Sequence, residues 1–126
     1  MQIANPSLRV VSWIECGWRI IAAWIDTEGN IRIGGMGRTP EVRIWQKTDE
    51  VGALWRICEL LKERGVTKCA PRPKAKEPQT SEIDITNGKD VALILDNVMP
   101  FLIVKGKIKQ AGKVRKFLSK RKRMPV

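Results

Sequence analysis

Two carboxylates, Asp26 and Glu28, follow the most apolar segment of the chain. Acids of this kind support phosphodiester hydrolysis, because carboxylates hold a metal ion that activates water and stabilises the leaving oxygen. On a helix, residues two apart differ by about 200°, so these two acids cannot bind one ion from the same face. If two copies of the helix packed side by side, their Glu28 carboxylates would meet. The residues therefore favour a metal site shared by two chains.

Charge points to the partner. The 126 residues form one domain, with 24 Lys and Arg against 13 Asp and Glu, a net charge of +11 and a pI near 10.1. Such an excess is typical of proteins that bind a polyanion, most often nucleic acid. The absence of histidine excludes Ser-His-Asp and Cys-His catalysis and histidine-ligated metal sites.

Several locations are also excluded by the sequence. Cys16, Cys58 and Cys69 lie far apart and are odd in number, which predicts neither a metal framework nor a disulfide set and indicates a reducing compartment. No apolar run approaches the length of a membrane span, and the first residues lack a signal-peptide pattern. We expect a soluble intracellular protein that is not secreted and binds no membrane.

The first predicted element is a helix without a polar face. Ser12 and Glu15 form a capping box, and the segment from Cys16 to Ile25 is apolar nearly all round. Such a helix is buried on two sides, and in so small a domain the second side is predicted to face another subunit. Gly29 is placed to end the helix.

The next elements are predicted as a hairpin and a helix. Residues 30–34 and 41–45 alternate between apolar and polar, so each is a strand with one face toward the core. Thr48 is expected to cap a helix with an apolar stripe. That stripe consists of Val51, Leu54, Trp55, Cys58 and Leu61.

The second half repeats this order. Strands are predicted at residues 66–69 and 82–86, joined by a proline-rich basic loop, and Asn87 is expected to cap a third helix. A fourth helix follows residue 104, and ten of the 24 basic residues lie from Lys105 onward. The prediction is an α+β domain over residues 1–119 with helices on one face of an antiparallel sheet, a free face that is polar and basic, and a basic tail at 120–126.

Three segments carry a family resemblance. Ile21-Ala-Ala-Trp-Ile-Asp-Thr-Glu-Gly29 resembles the LAGLIDADG motif of homing endonucleases, with Ala22, Ile25, Asp26 and Gly29 identical to it. Gln46-Lys-Thr48, at the end of a strand, is similar to a second family segment. Pro100-Phe-Leu-Ile-Val-Lys105, followed by Lys109-Gln-Ala111, resembles a late one. The resemblance implies the family's αββαββα fold, in which the antiparallel sheet forms a saddle.

The resemblance also implies an activity and a site. Glu28 would bind Mg²⁺ with help from the Thr27 carbonyl, Gln46 would orient water, and Lys105 would stabilise charge at the scissile phosphate. One motif per chain implies a homodimer that cuts both strands of a pseudo-palindromic DNA site. Its interface would be formed by Ile20, Ala23, Trp24 and Thr27.

Recognition of double-stranded DNA is assigned to the polar sheet face and the last helix. A two-stranded ribbon fits the major groove, where arginine pairs with guanine edges, whereas lysines elsewhere contact phosphates. The candidates are Asn30, Arg32, Arg38, Arg43, Trp45, Lys47, Lys68, Arg72, Lys74, Lys76, Asp84, Thr86, Lys113 and Lys116.

Two alternatives stay open. The same fold serves DNA-binding proteins without cleavage activity and maturases that bind intron RNA. The acids Asp49 and Glu50 favour this alternative weakly, because family members often carry a basic residue there. A basic ribosome-associated protein or RNA chaperone would explain the charge but not the motif, and it would be a monomer.

Overall fold

A computed structural model describes residues 13–123 and the side chains of residues 16–121. The predicted capping box of Ser12 and Glu15 and the end of the basic tail lie outside that description, and the boundary at residue 119 stays a prediction. Four helices and four strands follow in the order α1-β1-β2-α2-β3-β4-α3-α4. Their bounds are α1 Trp13–Glu28, β1 Gly29–Gly34, β2 Thr39–Lys47, α2 Val51–Glu63, β3 Arg72–Pro73, β4 Thr80–Ile85, α3 Gly88–Val98 and α4 Lys105–Arg123.

The strands form one antiparallel sheet in the order β1-β2-β4-β3. Its apolar face carries Ile31, Val42, Ile44, Ile83 and Ile85, all buried. The helices pack on this face, and their buried side chains join the same core. The predicted α+β class is therefore confirmed, with helices on one face of the sheet. Within residues 13–123, no helix is both long and apolar enough to cross a membrane.

Gly29 joins α1 to β1 without an intervening loop. A Cβ atom at this position would lie 2.7 Å from the Ile25 Cα and 2.9 Å from the Arg43 carbonyl oxygen. Only glycine fits so close an approach, since such distances are far below van der Waals contact. The helix therefore ends at Glu28, as predicted, and Glu28 is held beside the sheet.

Asp26 holds the segment before α4 against the end of α1. Its buried carboxylate accepts hydrogen bonds from the backbone N–H groups of Ile103, at 2.9 Å, and Val104, at 3.1 Å. The Lys107 ammonium donates to the Asp26 carbonyl oxygen at 3.2 Å. Asp26 thus has a structural contact, while its neighbour Glu28 remains exposed.

Replacing Asp26 is expected to be costly. Asp26→Ala leaves two amides without their charged acceptor, so we expect a loss of about 3 kcal/mol in the free energy of unfolding. The control is Asp96→Ala, which removes an exposed ion pair with Arg115 and should cost less than about 1 kcal/mol. Urea unfolding measures both, and equal losses would contradict the role of Asp26.

The predicted strand at residues 66–69 is wrong. The backbone N–H groups of Thr67 and Lys68 donate to the Asp90 carboxylate, at 3.1 and 3.3 Å, and the Thr67 hydroxyl donates at 2.8 Å. A side-chain acceptor here competes with the sheet for the backbone donors. The partner of β4 in the second hairpin is instead the two-residue strand Arg72–Pro73.

The cysteines are not all far apart, which corrects that expectation. Cys58 on α2 and Cys69 before β3 are buried, and their Sγ atoms lie 2.7 Å apart. Cys16 is exposed on α1.

Two predictions about α2 also need correction. The Thr48 hydroxyl does not cap the helix but donates to the Pro78 carbonyl at 2.6 Å, and a short 3-10 turn over Thr48–Glu50 precedes α2. Trp55, which belongs to the predicted apolar stripe, is 48% exposed. Ile57, which lies outside the predicted stripe, is buried. The buried side chains of α2 are Leu54, Ile57, Cys58 and Leu61. The Asn87 cap is confirmed, since its side chain accepts from the Lys89 and Asp90 N–H groups.

Candidate nucleic-acid interface and metal site

Glu28 and Gln46 line one cleft at the end of α1. The cleft has a volume of about 300 Å³, and Ala23, Trp24 and Thr27 form the rest of its wall. Gln46 has the strand parity of Val42 and Ile44, so it projects on the helix side of the sheet rather than on the polar face. The strand end of β2 and the helix end of α1 thus bring an amide and a carboxylate together.

The donor set at this cleft fits half of a metal site. Glu28 offers an exposed carboxylate with no ion-pair partner among the described residues. The Thr27 hydroxyl is already bonded to the Ala23 carbonyl at 2.9 Å, which leaves its backbone carbonyl as the group it could offer a cation. Among the residues that the structure describes, no three His, Cys, Asp or Glu residues cluster as a metal site. Hard cations prefer six or more oxygen ligands, so water, substrate or a second chain would supply the rest.

One side of α1 is apolar and uncovered. Cys16, Ile20, Ala23 and Thr27 are exposed and follow one another at helical spacing, and Ile20 is 47% exposed. Ile103, which is 81% exposed, adjoins this side across a second cleft that it shares with Ala23 and Thr27. The predicted interface residues Ile20, Ala23 and Thr27 therefore share one exposed surface, and Trp24 is half-buried at its edge.

The structure separates two lysines near α1. Lys105, the predicted active-site lysine, is exposed at the first position of α4 and has no hydrogen bond or ion pair among the described residues. Lys107 instead reaches the end of α1, where it contacts the Asp26 carbonyl. The predicted active-site role of Lys105 stays a prediction.

The polar face of the sheet is an ion-pair network rather than a basic surface. Arg43 lies 3.2 Å from Glu41 and 3.8 Å from Asp84. On either side, Arg32 pairs with Glu41 at 2.5 Å, and Arg72 pairs with Asp84 at 3.4 Å and with Glu82 at 3.7 Å. Three arginines and three acids nearly cancel, so the prediction of a basic face is wrong at its centre. These arginines can bind a DNA base only if they give up their carboxylate partners.

Crowding of the carboxyl groups shifts their protonation. Burial and the neighbouring Glu41 raise the pKa of Asp84 to about 6, although Arg43 opposes the change. For Glu41, burial opposes ionisation, but the hydrogen bond from Arg32, with Asp84 and Arg43, leaves its pKa below the ordinary value. The pair therefore holds one proton more readily than two separate acids would.

This proton makes stability depend on pH. An acid whose pKa is higher when folded stabilises the protein below its ordinary pKa of 3.8, and this stabilisation is lost as pH rises through about 6. The chain has no histidine, the side chain that ordinarily titrates in this range. We expect the free energy of unfolding to fall by about 1 kcal/mol between about pH 5 and pH 7.

The control for this prediction is Asp84→Asn, which keeps the shape of the side chain and cannot ionise. Its free energy of unfolding should change little over the same range. Urea unfolding of both proteins at each pH measures the effect. Parallel curves for the two proteins would contradict the assignment to Asp84.

Trp45 lies on the polar face but is covered. The Lys74 ammonium lies 5.2 Å from the centre of its ring, and the buried indole Nε1 has no hydrogen-bond partner among the residues that the structure describes. The β3–β4 hairpin thus packs over the tryptophan through Lys74. Stacking of Trp45 on a base would require Lys74 to leave.

The remaining candidates surround this network or lie on α4. Asn30, Lys47 and Thr86 flank it on the polar face, Arg38 lies in the β1–β2 turn, and Lys68 and Lys76 are exposed on either side of β3. Lys113 and Lys116 lie on α4. The DNA-binding roles of all these residues stay predictions.

Glu41 and Glu82 on the polar face and the contact of Lys107 with α1 were not among the predicted features. The alternation along β2 predicts the position of Glu41, because residues two apart on a strand lie on the same face and Glu41 is two residues before Arg43. Glu82 follows from its pairing with Trp45, but that register requires the tertiary fold.

The fold of this chain is similar to that of several solved structures. No family model matches the chain, and no curated protein sequence matches it. Among solved structures, homing endonuclease I-CvuI in complex with its target matches with a TM-score of 0.71 and 18% identity, over 87% of this chain and 70% of that one. Homing endonuclease I-TnaI gives 0.68 and 16%, over 84% and 74%.

An archaeal intron-encoded homing endonuclease, I-Vdi141I in complex with DNA, matches with a TM-score of 0.54 and 19% identity, over 89% of this chain and 87% of that one. The chain thus has the fold of DNA-binding endonucleases. More specifically, this is the LAGLIDADG homing endonuclease fold, which confirms the resemblance of the motif at the level of the fold.

Proposed function

We propose that this protein is a homodimeric, divalent metal-dependent DNA endonuclease that cuts both strands of a pseudo-palindromic site. The observation that carries the proposal is the cleft at the end of α1, where Glu28 and Gln46 meet beside an uncovered apolar helix face. A second α1 packed on that face would put two Glu28 carboxylates next to each other. The protein would act inside the cell, where its DNA target is.

Each group in the cleft has a role in hydrolysis. Glu28 and the Thr27 carbonyl would hold Mg²⁺, which supplies charge stabilisation and a more acidic water molecule when bound. The Gln46 amide both donates and accepts hydrogen bonds, so it can orient water toward the phosphorus. The Lys105 ammonium would offset the negative charge that develops on the phosphate, and Lys107, which contacts the end of α1, is a second candidate for this role.

The sheet face would read the DNA. In the major groove, a carboxylate accepts a hydrogen bond from the cytosine amino group, and arginine donates two to guanine. The network of Arg32, Arg43, Arg72, Glu41 and Asp84 contains both kinds of group. Specificity would then arise when pairing within the protein is exchanged for pairing with the matching bases.

The two lysines near α1 can be separated by mutation. Because Lys107 contacts the end of α1, we expect Lys107→Met to slow cleavage at least about tenfold while target affinity changes less than about threefold. Lys105→Met, which keeps a similar aliphatic length, is the matched control. A larger loss of cleavage in Lys105→Met would return the active-site role to Lys105.

The second candidate is a DNA-binding protein of this fold without cleavage activity, or a maturase that binds intron RNA. The observation that favours it is the pair of exposed acids Asp49 and Glu50, which stand where the family often has a basic residue. Such a protein would keep the sheet surface and the dimer face.

One selection separates these candidates. A library of randomised DNA duplexes is first selected for binding, and the enriched sequences are then incubated with Mg²⁺ or with a chelator. The proposal predicts one pseudo-palindromic site that is cut on both strands only in Mg²⁺. Enrichment without cleavage would favour the silent DNA-binding protein, and failure to enrich any duplex would favour an RNA partner.

A further inference from the structure

The C-terminal helix carries a regular row of lysines. Lys105, Lys109, Lys113, Lys116 and Lys120 are all exposed, and at about 100° per residue they lie within about 80° of one another on α4. We call these five residues the lysine stripe. With a rise of about 1.5 Å per residue, the stripe is about 22 Å long.

The lysine stripe faces away from the sheet. Ala111, Val114 and Leu118 are buried and lie on the opposite side of α4, where the helix packs toward β1 and β2. The stripe and the polar face of the sheet therefore point to different sides of the molecule. A duplex lying on the sheet would leave the stripe uncovered.

The positive charges of the lysine stripe are not offset by acidic side chains. No acidic residue follows Asp96 in the chain, and Asp96 itself pairs with Arg115 rather than with the stripe. None of the five ammonium groups has an ion pair or hydrogen bond among the described residues. The sheet face, in contrast, has its arginines paired with acids.

We infer that the lysine stripe is a second nucleic-acid surface, which binds the phosphate backbone of another DNA duplex while the sheet holds the first. Lysines act as point charges toward phosphate, and the stripe has no aromatic side chain on which a base could stack, so it suits duplex backbone without sequence preference. The choice of DNA rests on the proposed function. A protein with two such surfaces can pass from one DNA segment to another during its search.

Bridging of two duplexes tests this inference. A donor-labelled and an acceptor-labelled duplex of unrelated sequence are mixed with the protein, and energy transfer between them is measured as salt is raised. Lys109→Gln with Lys120→Gln removes two charges from the stripe. The matched control is Arg56→Gln with Lys62→Gln, which removes two exposed positive charges from α2.

We expect bridging in the wild type and in the control, and its loss in the stripe variant. The slope of log affinity against log salt should fall by about 2 in the stripe variant, since each phosphate contact contributes about 0.9. Equal bridging of DNA duplexes by the two variants would overturn the inference. A stripe variant that still bridges DNA duplexes, and loses only the bridging of RNA duplexes, would also overturn it. The bridging assay does not depend on cleavage of the target, so a negative result would count against the lysine stripe and not against the proposed endonuclease activity.

A different observation, the contact of Cys58 and Cys69, carries a second inference. Cys69 donates its thiol hydrogen to the Cys58 sulfur across 2.7 Å, and both side chains are buried. The bond from Cys69 lowers the pKa of Cys58, as does the charge of Lys62, although burial opposes the change. The same bond and burial raise the pKa of Cys69. Cys58 is thus the better nucleophile of the two.

We propose that Cys58 and Cys69 form a disulfide when the protein meets a peroxide. The Cys58 thiolate attacks one peroxide oxygen, and the O–O bond breaks. Cys58 becomes a sulfenic acid and hydroxide is released. The hydroxide then takes up the proton that the thiol lost and becomes water. The Cys69 sulfur then attacks the Cys58 sulfur, and the second oxygen leaves as water. Two thiols are oxidised and one peroxide is reduced to two molecules of water.

The bond would tie α2 to the segment that enters the β3–β4 hairpin. It closes a short loop, so we expect the oxidised protein to unfold at higher denaturant concentration than the reduced one. The experiment treats folded Cys16→Ser protein with hydrogen peroxide, then maps peptides without reductant. The Cys16 replacement prevents exchange with the exposed thiol.

We expect a linked peptide pair that contains residues 58 and 69. This pair should be absent in a Cys16→Ser, Cys69→Ser control. Recovery of both residues as free thiols after denaturation, or as separate oxidised cysteines, would overturn the proposal.

Discussion

Glu28→Gln is expected to lower cleavage at least about a hundredfold while target affinity stays within about threefold. The amide keeps the size of the side chain but removes the charge that would hold a divalent cation. Because Glu28 is exposed and forms no ion pair among the described residues, the replacement leaves the fold intact. Cleavage of the selected site in Mg²⁺ and binding in its absence measure the two effects separately.

The matched control is Glu59→Gln, which neutralises an exposed acid on α2 whose only ion pair among the described residues is the surface pair with Arg56. It should cleave as the wild type does, since a pair of this kind contributes little. Wild-type cleavage by Glu28→Gln would remove Glu28 from the site. Equal losses in the two variants would indicate a general effect of charge.

Ile20→Glu is expected to convert the protein to monomers and to abolish double-strand cleavage. The side chain is 47% exposed in the single chain, so a charge there is tolerated by the monomer. Between two copies of α1, however, it would be buried opposite its equivalent, and burial of an unpaired charge costs several kcal/mol. Light scattering should give twice the chain mass of 14.3 kDa for the wild type and one chain mass for the variant.

The control for the dimer is Met36→Glu, placed at the tip of the β1–β2 turn, where the side chain is 97% exposed. It should remain dimeric. A wild type that is already a monomer would contradict the shared site, because one chain supplies only Glu28 and the Thr27 carbonyl. A dimer unaffected by Ile20→Glu would place the interface elsewhere.

Local signals in the sequence predicted the elements that form the site. The apolar run ending at Gly29 predicts α1 and its end, because only glycine fits where Ile25 and Arg43 approach. Alternation predicts β1 and β2, and Asn87 predicts the start of α3 by its capping geometry. Each of these depends on residues close together in the chain.

Contacts between distant residues were beyond such signals. The Asp90 carboxylate accepts hydrogen bonds from the backbone of Thr67 and Lys68, which lie more than twenty positions before it in the chain. These two residues therefore do not pair with the sheet, and the first strand of the predicted second hairpin is wrong. The pairing of β2 with β4 brings Asp84 against Arg43 and neutralises a face that composition suggested was basic. The Cys58–Cys69 contact likewise arises only from tertiary packing.

The most direct test of a site shared by two chains uses mixed dimers. Differently tagged wild-type and Glu28→Gln chains are co-expressed and purified through both tags. They are then incubated in Mg²⁺ with the selected duplex, labelled on both strands. We expect the wild-type dimer to cut both strands and the variant dimer to cut neither. We expect the mixed dimer to lose double-strand cleavage, because one Glu28→Gln chain leaves the shared site without one of its two carboxylates. Double-strand cleavage by the mixed dimer at the wild-type rate would contradict the account.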